Sequence, residues 1–217
     1  MKMTKKKIFV TALVISLVAI ISMGTLAWFS DFDSVNNEFK FADSDGDGTP
    51  DFKIDVWEVT PDGDDTDGYE YDKILPGDVL VKEPHVENTG DYDQYVRVTV
   101  TISDAQAWFA ALGTDFDATE VFVGFDATMW DPEHIWNNVY GADPATLGEI
   151  QYVLYYDGVL ASGDDFTVFE SVKIPESLTK EEAEAFGGSF NITVKAEAVQ
   201  SENIADNAYD AFQIVMP

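Results

Sequence analysis

The eight residues "YVRVTVTI", Tyr95 to Ile102, alternate apolar and polar side chains without a break. Val96, Val98, Val100 and Ile102 fall on one side of an extended chain, and Tyr95, Arg97, Thr99 and Thr101 on the other. Successive side chains of a pleated strand point to opposite faces, so this pattern marks an antiparallel strand with one buried face. "FNITVKAEA", Phe190 to Ala198, repeats the pattern: Phe190, Ile192, Val194, Ala196 and Ala198 inward, Asn191, Thr193, Lys195 and Glu197 outward. Shorter runs predict strands near 37–42, 52–59, 78–87, 120–125, 150–156 and 165–174, separated by Gly, Pro, Asn and Asp clusters.

Two short helices interrupt the strands. "SDAQAWFAAL" starts at an N-cap, Ser103 or Asp104, and puts Ala107, Trp108 and Ala111 on one face. "SLTKEEAEAFGG" carries a capping box, Thr179 with Glu182, and Gly187 as a stop. A third helical turn is expected near "DNAYDAF". Many short strands with few helices predict a mainly β fold, an antiparallel jelly-roll β-sandwich with two or three short inserted helices; a closed barrel is the alternative. With no internal repeat or long linker, residues 28–217 read as a single domain.

Of the 217 residues, 41 are acidic and 12 basic, a formal net charge of −29. Four of the basic residues lie in the first seven positions and residues 1–27 hold no acid, so the remainder carries eight basic against 41 acidic groups, −33. A field of that sign repels nucleic acid and anionic lipid and attracts cations. There is no cysteine, so an exported form must draw its stability from its core, from metal ions or from assembly.

The first 27 residues look like an export leader: Lys2, Lys5, Lys6 and Lys7, then an apolar run from Ile8 to Ile21, then small residues up to Ala27. Thr25 and Ala27 suit the small pockets of a signal peptidase, which predicts cleavage between Ala27 and Trp28 and a membrane contact for the precursor alone. The competing reading is an uncleaved anchor, because positions 8–30 are uncharged and long enough to span a bilayer of about 30 Å. Cleavage leaves a chain that begins "WFSDFDSVNNEF". An aromatic strand at a free terminus is a liability unless it is paired. It can add to a neighbour's sheet edge, with Trp28, Phe29 and Phe32 filling pockets, or pair within its own domain.

"DSDGDGTPD", Asp43 to Asp51, sets four carboxylates close together. Asp43, Asp45, Asp47 and Asp51 occupy positions 1, 3, 5 and 9 of an EF-hand-like loop, with Gly48 at position 6, where the chain turns sharply. Calcium takes six to eight oxygen ligands and would neutralise the repulsion. Position 12, usually a bidentate carboxylate, is Ile54, and Asp55 comes one residue late. A plain solvated turn is the competing reading, since Asp, Gly and Pro favour turns. The second acidic stretch, Asp62 to Asp72, has no clean frame and reads as a mobile loop, although Asp65 and Asp67 could be ligands.

Catalytic constellations are absent from the pattern. The two histidines, His85 and His134, sit in "PHVE" and "PEHIW", and neither matches the HExxH zinc-protease helix. There is no nucleophile elbow, phosphate-cradling glycine loop or cysteine nucleophile. Trp57, Trp108, Trp130 and Trp136 read as core, Trp130 and Trp136 being the pair most open to a role in sugar binding. Asn191-Ile192-Thr193 is a weak glycosylation match.

Three pieces together resemble the TasA/camelysin family of exported fibre-forming proteins: "AWFSD" with an "N-x-F" strand after it, "LPGD" at Leu75 to Asp78, and "P-x-V-x-NTG" at Pro84 to Gly90 leading into "YVRV". The closing "SFNITVKAEAVQSEN" is similar to that family's last core strand, and the resemblance covers mainly the first hundred residues. It implies a jelly-roll subunit, cleaved by a dedicated signal peptidase, that polymerises with itself into biofilm-matrix or pilus-like fibres. In such fibres the mature N-terminal segment, here 28–38, completes the sheet of the next subunit. Camelysin-like members are classed as cell-envelope metalloproteases, so a zinc hydrolase is the enzymatic alternative. A calcium-dependent monomeric adhesin is the third reading. The expected function is non-enzymatic: a secreted, calcium-stabilised filament subunit at the cell surface.

Overall fold

The computed structural model describes residues 30–34, 37–39, 52–59, 61–71, 73–113, 116–139, 143, 146–186 and 189–216. The strands in chain order are β1 (Ser30–Ser34), β2 (Asn37–Phe39), β3 (Ile54–Val59), β4 (Asp65–Thr66), β5 (Val79–Val81), β6 (Glu83–Asn88) and β7 (Gln94–Ser103). They continue with β8 (Phe122–Val123), β9 (Trp136–Asn137), β10 (Glu149–Tyr155), β11 (Asp165–Thr167), β12 (Ser171–Lys173) and β13 (Ile192–Gln200). The helices are α1 (Ala105–Leu112), α2 (Lys180–Ala185) and α3 (Ala208–Val215). The strands build a six-stranded sheet β2-β1-β13-β7-β10-β9, a four-stranded sheet β11-β6-β3-β4 and a three-stranded sheet β5-β12-β8. Every pairing is antiparallel, as the period of two requires.

β7 is the centre of this arrangement. It bonds β13 on one side (Val98↔Ala196, Val100↔Val194) and β10 on the other (Val98↔Leu154, Ile102↔Ile150). Val96, Val98, Val100 and Ile102 are fully buried and meet Ile54, Val56 and Val86 from the four-stranded sheet and Phe122 and Val172 from the three-stranded one. One core therefore joins all three sheets in a β-sandwich. Each of those four side chains contributes about 1.5–3 kcal/mol on burial, which makes the alternation itself the main stabilising device.

Two predicted strands, 78–87 and 165–174, each split in two. β5 and β12 pair in one sheet while β6 and β11 pair in another, so both chains cross between sheets at the break. Lys82 marks the first crossing, and its ammonium bonds Glu58 of β3, a carboxylate that is 3 % exposed. A buried charge needs its partner within reach, and the local kink supplies it.

The outer face of β7 is not solvated as alternation predicts. α3 lies across it, and Phe212 and Ala211 join Tyr95, Tyr155 and Val199 in a second, smaller core. Arg97, the chain's one arginine, bonds Glu197 through Nε and Nη2 (2.9 and 2.7 Å) and sits 4.5 Å over the Phe212 ring. α3 runs two turns behind the Asn207 cap, more than the single turn expected. The α2 capping box forms as predicted, with Thr179 Oγ1 accepting from Glu182 N–H and the Glu182 carboxylate from Thr179 N–H. At α1 the N-cap residue is Asp104 in a left-handed conformation, but its carboxylate takes the Ser103 hydroxyl and caps nothing. Of α1, Ala105, Trp108 and Phe109 are buried in the core, and Ala107 and Ala111 pack against it half-buried.

Candidate functional site

β1 bonds β13 from Ser30↔Val199 to Ser34↔Lys195, and its other edge bonds β2 from Phe32↔Phe39 to Ser34↔Asn37. In the single chain the amino-terminal strand thus closes the margin of its own sheet. Of the two pairings open to segment 28–38, within its own domain or onto a neighbour, the single chain shows the first at Ser30–Ser34. β13 has one edge taken by β7, and the backbone groups of its other edge demand partners that the nearest strand provides. Phe32 lies mid-strand opposite Glu197. Trp28, Phe29 and the Ala27–Trp28 junction lie outside the described residues.

Asp43, Asp45, Asp47 and Asp51 also lie outside the described residues. Their loop enters β3, where Ile54, the residue at position 12, is 1 % exposed in the core. Asp55 spends Oδ1 on the Val56 N–H at 3.1 Å. The last ligand of an EF-hand frame is therefore lost to packing at Ile54. Within the second acidic stretch, Asp65 and Thr66 form β4 against Val59 and Glu58, so that stretch is in part a sheet margin rather than a mobile loop. Among the described residues no three His, Asp or Glu converge as a metal-binding group.

The histidines are held apart, each against an aromatic ring and carboxylates. His85 stacks on Trp57 (4.1 Å between centroids) with Asp165 at 3.2 Å from Nδ1 and Glu83 at 3.3 Å from Nε2. His134 stacks on Tyr209 of α3 at 3.7 Å and bonds Asp131 at 2.7 Å. Trp108 and Trp130 are core residues, Trp57 is half-buried on His85, and Trp136 stands half-exposed on the edge strand β9. The pair Trp130 and Trp136 is thus divided between core and surface. Asn191 is exposed, its N–H bonded to the Ser103 hydroxyl.

The short motifs turn out to be turn devices. In "LPGD", Gly77 holds φ +91°, Asp78 N–H bonds Leu75 O, and the Asp78 carboxylate accepts from Leu75 N–H at 2.8 Å. Proline followed by a positive-φ glycine is the signature of a type II turn. In "NTG", Asn88 is wholly buried and all its side-chain polar atoms are bonded. Sequence reading missed the polar partner of that asparagine, Gln94, which is also wholly buried and whose Nε2 bonds Asn88 Oδ1 at 2.8 Å. A lone Gln at the start of an apolar strand was the available signal.

Comparison with protein-family models, with curated proteins and with solved structures returned no match.

Proposed function

We propose that the mature chain is the structural subunit of an extracellular filament, polymerised by exchange of its amino-terminal strand. β1 of one copy leaves its own β13 and pairs with β13 of the next. One observation carries this reading: among the described residues β1 is the first strand, and its sheet partners are β13 and the three-residue β2. Departure of β1 bares five positions of β13, and an identical strand from a neighbour restores the same bonds. Because donor and acceptor are different surfaces of one subunit, the exchange is head-to-tail and open-ended, which yields a filament. The reading further takes the subunit as non-enzymatic, released from the membrane by signal peptidase, with Ca²⁺ on Asp43, Asp45, Asp47 and Asp51.

A disulfide lock tests the exchange. Ser34 and Lys195 face each other in register, and facing residues of antiparallel strands lie about 4.5–5.5 Å apart at Cα, within disulfide reach. The sequence has no cysteine to interfere. The mature Ser34→Cys/Lys195→Cys protein should stay monomeric when oxidised and form filaments, seen by negative-stain microscopy, when reduced. Filaments growing equally from the oxidised protein would refute strand exchange.

A further inference from the structure

α3 covers one end of the outer face of the six-stranded sheet, over Tyr95 and Tyr155. Beyond it, two rows of that face stay open. In the first, Lys195 of β13, Thr99 of β7, Val153 of β10 and Trp136 of β9 stand opposite one another in turn. In the second, Thr193, Thr101 and Gln151 do so. Three strand spacings separate β13 from β9, so the longer row measures about 14 Å.

Two properties set this face apart. It is nearly free of charge in a chain where 24 % of residues are charged: among its seven side chains only Lys195 is ionised, and that ammonium bonds Glu197 at 2.9 Å. Its polar groups are also unspent. The hydroxyls of Thr99, Thr101 and Thr193 and the carboxamide of Gln151 have no partner among the described residues, and none of the four residues is buried.

Trp136 closes the longer row and is 50 % exposed. Its strand is only two residues long, but Asn138 clamps the chain directly after it. Asn138 N–H donates to Gln151 O (3.1 Å), its Oδ1 accepts from Gln151 N–H (2.8 Å), and its Nδ2 donates to Glu149 O (2.9 Å). The indole is thus presented on a fixed backbone, which lowers the ordering cost of binding.

We propose that this face binds a neutral oligosaccharide chain, with Trp136 against one sugar ring and Thr99, Thr101, Thr193 and Gln151 bonding its hydroxyls. A pyranose offers both halves of that match. Its C–H face is drawn to the negative face of an indole, and the hydroxyls at its edge donate to and accept from threonine and glutamine. Charge selects against the other polymers. A polyanion is repelled by the chain's −29 and by Glu149 at the rim of the face, while a polycation is drawn to the acidic remainder of the surface. None of the binding side chains lies on β1, so the site stands whether or not strands are exchanged.

The test titrates ¹⁵N-labelled protein beginning at Trp28 with cellohexaose, maltohexaose and hexagalacturonate. A neutral hexasaccharide should move the Trp136 indole cross-peak and the amides of Thr99, Thr101 and Thr193, and hexagalacturonate should leave them still. Trp136→Ala should weaken binding about tenfold or more, as loss of an anchoring aromatic does. Thr101→Val, which keeps the shape and removes one hydroxyl, should weaken it about fivefold. Both variants should keep the wild-type melting temperature. Cross-peaks that stay still with both neutral sugars at their solubility limits would overturn the proposal, as would undiminished affinity in Trp136→Ala. Binding of hexagalacturonate as tight as that of the neutral chains would do the same. So would movement of these cross-peaks with protein concentration alone, which would give the face to a second copy.

Discussion

Asn88 uses every polar atom of its side chain. Nδ2 donates to the carbonyls of Tyr92 (2.8 Å) and Leu160 (2.9 Å), while Oδ1 accepts from Gly90 N–H (3.0 Å) and Gln94 Nε2 (2.8 Å). Removing it strands several buried groups at once, each worth about 1–3 kcal/mol when unpaired. Asn88→Ala should therefore cost about 3 kcal/mol or more in urea unfolding, whereas a change at exposed Thr89 should cost under about 0.5 kcal/mol. A second residue pair sets a pH dependence. Burial raises the Asp117 carboxyl, but bonds from Thr119 N–H (2.9 Å) and Oγ1 (2.8 Å) and from the Tyr152 phenol (2.9 Å) outweigh it and hold the carboxyl below its ordinary value. Burial and the Asp117 carboxylate in turn push the Tyr152 phenol up. A depressed carboxyl contributes stability that is present above its unfolded value near pH 4 and lost as pH falls. A raised phenol contributes stability that is present below about pH 10 and lost as pH rises. Tyr71, pushed to about 12 by burial, Glu58 and Tyr69, adds to the alkaline limb. Tyr152→Phe should thus be most destabilising near neutral pH and converge on wild type at both extremes; urea midpoints offset equally at pH 3, 7 and 11 would exclude the linkage. At this scale the sequence was least legible. Nothing in local pattern says that Asp117 and Tyr152, 35 positions apart, will meet.

Among the elements, legibility followed length and periodicity. β7, β13 and β10 were readable because seven to ten residues of alternation leave one workable face. The two-residue strands β4, β8 and β9 have no period to detect, and the paired crossings at Lys82 and at Val168–Glu170 depend on contacts distant in sequence. The partner of the terminal strand is not legible in residues 28–38 themselves, because edge demand is a property of β13. α3 was underestimated for a related reason. Its reward is the apolar outer face of β7 and β10: Tyr95, which alternation assigns to solvent, and Tyr155. Phe212 is fully buried there beneath Arg97. Phe212→Ala should cost about 3–5 kcal/mol, as for other buried aromatics, and should free the Arg97–Glu197 pair to solvent. Thr179→Ala, at the capping box of the short α2, should cost about 1 kcal/mol. Comparing the two melting curves tests whether α3 is an integral layer, since equal small effects would make it an appendage.

At the scale of the whole molecule, charge bears on the proposed assembly. A chain cleaved after Ala27 would carry −33 and repel its own kind, over a Debye length of about 30 Å at 0.01 M salt and about 3 Å at 1 M. Filament growth by strand exchange should accordingly be slow in dilute buffer and rise steeply with NaCl, as followed by light scattering and microscopy. Calcium should act at far lower concentration than NaCl if Asp43, Asp45, Asp47 and Asp51 bind it, since one bound ion cancels two charges and ties down the loop before β3. The two effects separate in one variant. Asp45→Ala/Asp47→Ala removes two central carboxylates of the loop, so it should lose the calcium-dependent rise in melting temperature and the low-millimolar calcium effect on assembly. Its response to NaCl should survive, because the remaining charge is still about −31. A variant that keeps the full calcium response would move the ion elsewhere on the acidic surface and leave the loop a solvated turn. A wild-type protein that assembles equally well at 0.01 M and 1 M salt would show that the strand contact outweighs the repulsion of the entire subunit.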